Sequence, residues 1–75
     1  MSINYALAKA QYPKQKARLT RAIKKGPDAV LDAVYKTIDE WRAWGAWPDD
    51  WARWQRAIDD VFGQHGLYPP RLEDL

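Results

Sequence analysis

Side-chain catalysis needs a nucleophile, a general base or a ligand set gathered at one place, and this sequence supplies few groups for any of them. Its 75 residues hold one histidine and no cysteine. His65 stands between Gln64 and Gly66, where a helix should end, so it reads as a capping or surface residue whose cation suits the negative end of the helix dipole. Asp49-Asp50 and Asp59-Asp60 look like paired carboxylates, but consecutive helical residues diverge by about 100° and share neither a proton nor a metal easily. Arg53 and Arg56 lie one turn from these acids, which predicts ion pairs of Asp49 with Arg53 and of Arg56 with Asp60. The expectation is a non-enzymatic chain with no catalytic residue, no cofactor and no metal site.

Binding chemistry is better represented. Met1 to Pro27 carries seven bases and no acid, whereas Asp28 to Leu75 carries ten acids and five bases. On a helix, Lys14, Arg18, Arg21 and Lys25 fall within roughly 60° of one another, with Lys24 beside them and Tyr12, Leu19 and Ile23 on the opposite side. Such a ridge serves as a solvated face, as a contact for phosphates, or as a docking face for acids within the domain or between subunits. The acids available for such docking are Asp28, Asp32, Asp39, Glu40, Asp59 and Asp60. Five tryptophans lie between positions 41 and 54. Most have the spacing of a buried stripe and fill a small core. Trp47 sits in a turn, and an exposed indole there is the type of side chain that anchors interfaces; Trp44, beside it, would extend the patch.

These side chains must be carried by helices. Gly26-Pro27, Gly45 to Pro48 and Gly63 to Gly66 divide the chain, since glycine suits the residue past a helix end and proline a first helical turn. The punctuation predicts helices over about 4–11, 13–25, 27–44 and 48–62, with an extended tail over 64–75; one helix kinked at Pro13 is the nearby alternative to the first two. Val30, Leu31, Val34, Ile38, Trp41 and Trp44 form one apolar stripe, and Trp47, Trp51, Trp54, Ile58 and Val61 another, which predicts an antiparallel αα-hairpin with Trp41 and Trp44 meeting Trp51 and Trp54. Asp32 and Lys36 are spaced for an ion pair on its outer face. A DNA-reading helix-turn-helix is disfavoured, because Asp49-Asp50 at the start of the second helix would repel phosphate. The tail, with Pro69-Pro70 and three leucines, either folds back over the bundle or offers a peptide to a partner's groove.

Residues 1–75 therefore read as one all-α domain: a small helical bundle built on the hairpin, with a basic amphipathic helix at its N-terminus. No segment approaches the ~20 apolar residues of a membrane span and no secretory signal precedes the domain, so a cytoplasmic location without a membrane partner is expected.

The run Glu40-Trp41-Arg42-Ala43-Trp44-Gly45-Ala46-Trp47-Pro48-Asp49-Asp50-Trp51-Ala52-Arg53-Trp54-Gln55-Arg56-Ala57 resembles a segment of small accessory proteins of actinobacterial phages, mycobacteriophages in particular. Asn4-Tyr5-Ala6-Leu7-Ala8-Lys9-Ala10-Gln11-Tyr12-Pro13 strengthens the resemblance. It carries over no functional residue. It implies a class of work, binding of a host or phage protein in the host cytoplasm. Taken together, the expectation is a protein-binding module with Trp47 and Trp44 as anchors and Lys14, Arg18, Arg21 and Lys25 steering an acidic partner. Non-specific nucleic-acid binding by the basic helix is the first alternative, and a self-assembling homodimer the second.

Overall fold

Glycine and proline set the helix boundaries that can be compared with the structure. A computed structural model describes residues 5–44 and 51–75. Helix α1 spans Tyr5–Lys25, α2 Pro27–Trp44 and α3 Trp51–Gln64, followed by one 3-10 turn, Leu72–Asp74. Among the described residues there is no strand. No helix there is long and apolar enough to cross a membrane.

Gly26 alone joins α1 to α2. Its φ of 117° lies in the region glycine tolerates best. Its N–H donates to the Ala22 carbonyl at 3.2 Å, and its own carbonyl accepts from Val30 N–H at 3.1 Å. One residue thus closes a helix and opens the next, and Pro27 follows where a missing N–H costs nothing. A connection this short turns α2 back onto α1, and these two helices form the more extensive pairing; α2 packs less extensively on α3. The expected connection of the tryptophan-bearing hairpin, residues 45–47, lies outside the described residues, as does the expected start of its second helix at Pro48.

The two short helices expected before Gly26 are one. Pro13 lies inside α1, although an interior proline removes a backbone hydrogen bond. Pro13 is exposed, so the carbonyl it leaves without a donor is on the side open to water. On the opposite side Ala8, Gln15, Leu19 and Ala22 are buried on both sides of the proline, and their packing holds the two halves in one rod. The buried face also differs from the one expected. Ile23 is 40% exposed, while Ala22, one residue back, is in the core.

The core joins Leu19 and Ala22 of α1, Val30, Val34, Ile38 and Trp41 of α2, and Trp54, Ile58, Val61 and Phe62 of α3. Trp41 makes an edge contact with Trp54 at 5.2 Å between ring centroids, and a tilted one with Trp51 at 5.9 Å. Aromatic pairs favour such offset geometries.

Helix α3 ends two residues beyond its expected limit. Gly66, at φ 68°, lets the chain leave through a glycine cap in which Leu67 N–H donates to Phe62 O at 2.9 Å and Gly66 N–H to Gly63 O at 3.1 Å. His65 is exposed at this end. The tail then folds back, as one of its two readings required. Leu72 is 3% exposed within the core. Gln55 holds it there, accepting from Leu72 N–H at 2.8 Å and donating to the Pro70 carbonyl at 3.0 Å. Arg42 of α2 donates to the Leu75 carbonyl at 2.7 Å, fixing the last residue.

Candidate functional site: a cationic crevice between α1 and α2

Beside the Gly26 turn the facing side chains are short. Ala22 of α1 and Ala29 and Ala33 of α2 leave an open crevice of about 360 Å³ along the helix pair. Its walls are long and charged: Arg18, Arg21 and Lys25 from α1, with Lys36 and Asp32 from α2. Four cations face one carboxylate. Arg21, Lys25, Lys36 and Asp32 are all exposed, and none forms an ion pair within 4 Å among the described residues. The expected pairing of Asp32 with Lys36 is therefore absent, as is that of Arg56 with Asp60; Asp49 lies outside the described residues.

Arg18 differs from its neighbours. It is half-buried and donates twice to Glu40, through Nη1 to Oε1 at 2.8 Å and Nη2 to Oε2 at 3.3 Å, and from Nη1 to Thr37 Oγ1 at 3.0 Å. Thr37 in turn donates to the Ala33 carbonyl at 2.7 Å. From the other side Gln15, 2% exposed, donates to Glu40 Oε1 at 3.1 Å and accepts from Trp41 Nε1 at 3.1 Å. Gln15, Thr37 and the Trp41 indole are buried and each has a partner, which is the condition for placing polar groups between helices at low cost. The Arg18 guanidinium, by its hydrogen bonds, holds the Glu40 carboxyl below the ordinary glutamate range; burial opposes it, and Gln15 and the nearby charges of Arg18 and Lys36 add smaller effects in the same direction as the hydrogen bonds.

The cationic ridge read from the sequence thus divides. Arg21 and Lys25 line the crevice, Arg18 lines it while bound to Glu40, and Lys14 is exposed on the same ridge without lining it. Docking of bases on acids within the domain occurs at Arg18 and Glu40. Of the aromatic anchors, Trp44 is half-buried and packs against the core, and Trp47 lies outside the described residues. Sequence reading missed Lys36 as part of the site, because its spacing from Asp32 suggested an internal pair. It also missed Gln15, Thr37 and Gln55, whose polar side chains give no sign of burial until the facing helix is known.

Among the described residues no group of three or more His, Cys, Asp or Glu could hold a metal ion. The arrangement offers recognition of anions: planar guanidinium forks and ammonium groups above a small apolar floor. No protein family matches the chain, and neither the curated proteins nor the solved structures include one detectably similar to it.

Proposed function

We propose that the chain is a non-enzymatic protein–protein interaction module, an antiparallel α1–α2 hairpin whose crevice receives an acidic segment of a partner protein. The observation that carries this reading is the row Arg21, Lys25 and Lys36 around one crevice, exposed and without ion pairs among the described residues. Exposed charges of one sign in a concave place steer a partner of the opposite sign and fix its register. Asp32 in the opposite wall favours a polypeptide, because a segment of mixed charge can match it, whereas an unbroken row of phosphates meets repulsion there. The resemblance to phage accessory proteins makes the partner a host or phage protein of the infected cytoplasm, an argument by association. Trp47 and Trp44 are the proposed aromatic anchors.

Nucleic-acid binding is the second reading, supported by α1, which presents seven cations and no acid in 21 residues. The two are separated by affinity capture from nuclease-treated host lysate with the parent chain and an Arg21→Glu/Lys25→Glu variant. A single protein captured by the parent and lost by the variant supports the first reading. A labelled duplex bound at low salt by the parent, with no protein retained, replaces it with the second.

A further inference from the structure

The segment Leu67 to Arg71 lies outside the crevice and plays no part in the function proposed above. Tyr68 is 99% exposed and Leu67 50%. A ring of this size offers about 150–250 Å² for burial, and the fold uses almost none of it. The backbone that carries it is nevertheless firmly placed. Tyr68 and Pro69 each precede a proline, which disfavours helix at both; Pro69 and Pro70 have their φ fixed by their rings. Arg71 continues at φ −90° and ψ 132°. The consecutive restrictions favour a polyproline-II stretch.

Both ends of the stretch are tied to α3. Leu67 N–H bonds to Phe62 O at 2.9 Å at one end. At the other, the Gln55 amide grips Pro70 O and Leu72 N–H, and Leu72 is buried in the core. Between these ties the carbonyls of Tyr68 and Pro69 have no hydrogen-bond donor among the described residues. Two consecutive prolines supply no N–H, so the stretch is unfit to join a sheet edge as an added strand. With three residues per turn, Tyr68 and Arg71 share one edge of the helix, about 9 Å apart.

From this geometry we infer that residues 67–71 are a preformed ligand for a protein groove of the polyproline-II-binding kind: lined by aromatic rings that receive Tyr68 and Pro69, equipped with a donor for the Tyr68 or Pro69 carbonyl, and rimmed by acid for Arg71. The conformational ordering such ligands usually undergo on binding is already complete here.

The test uses the full chain against a panel of purified SH3, WW and EVH1 domains, read by fluorescence anisotropy. The expected result is saturable binding to at least one domain, displaced by a proline-rich peptide that occupies its groove. Tyr68→Ala should weaken it by about tenfold or more, and Pro69→Ala by a smaller factor. Thermal melting of Tyr68→Ala should match the parent, since the ring makes no contact with the fold. Binding by no member of the panel, or binding unchanged in Tyr68→Ala, overturns the inference. Tyr68-dependent sedimentation with phosphatidylcholine vesicles in the absence of domain binding also overturns it, and assigns the segment to a lipid surface. Arg21→Glu/Lys25→Glu should bind the panel as the parent does, which keeps failure here distinct from failure at the crevice.

Discussion

Two stretches of the same helix pair treat charge in opposite ways. Around Gln15, Thr37, Glu40 and Trp41, each polar group meets another across the α1–α2 contact, and Arg18 is bound to a carboxylate. One to two turns nearer Gly26, Arg21 and Lys25 line the crevice with alanines, Lys36 and Asp32, and form no ion pair among the described residues. The cations come from one ridge and differ little as side chains. What differs is the residue that α2 places opposite. A base facing Glu40 becomes part of the fold, and a base facing Ala29 or Ala33 stays available to another molecule. This comparison teaches that a charged face cannot be assigned to binding or to stability residue by residue until its neighbour helix is in place.

The comparison breaks most violently at Trp41, which is fully buried, bonded to Gln15 and in edge contact with Trp54. Trp41→Ala should cost about 3–5 kcal/mol, a large part of the total for so small a domain. Urea denaturation followed by circular dichroism should show a transition shifted far toward zero denaturant, with Gln15 left without its donor.

Glu40→Gln sharpens the contrast. Removing the charge from a pair whose side chains are 23% and 29% exposed should cost about 1–2 kcal/mol, between the values for exposed and buried pairs. The carboxyl is depressed in the folded chain, so its contribution is fully present above the ordinary glutamate value of 4.5 and is lost as pH falls through the lower folded-state value. Stability measured from pH 7 down to pH 2 should therefore show the parent and variant converging in acid. The same change releases Arg18 to the crevice, so affinity for an acidic peptide should rise while stability falls.

The smallest effect on stability belongs to the crevice itself. Arg21→Ala and Lys25→Ala should each alter unfolding free energy by no more than about 0.5 kcal/mol, yet weaken capture of the acidic partner, more so together and less so at high salt. A large loss of stability in either variant would place these residues with Arg18 in the fold and erase the distinction.

Local chemistry was legible without any neighbour. Helix α2 begins at Pro27, where Gly26 and Pro27 require it, because caps and turns are decided by the residues within one helical turn. Meetings between Trp41 and the tryptophans of α3 were legible too, since the spacing of large rings fixes which face must be buried. Pro13 misled for the opposite reason: its local cost is real, but burial of the helix face that carries Ala8, Gln15 and Leu19 outweighs it. Ile23, expected opposite the basic ridge, is exposed, and Ala22 is buried near Gly26, where a one-residue turn brings two helices close and the smaller side chain fits between them.

Residue order and local chemistry make this chain helical, gather its bases in α1 and its tryptophans near residues 41–54, and mark where glycine lets the chain turn. Tertiary structure alone decided which bases are neutralised, that Gln15 and Gln55 lie inside, and that the tail is pinned with Tyr68 held outward. Caps and periodicity act over a few residues and are written in order along the chain. Burial and ion pairing depend on what stands opposite, and partners 17 to 26 positions apart meet only after α2 and α3 have folded back.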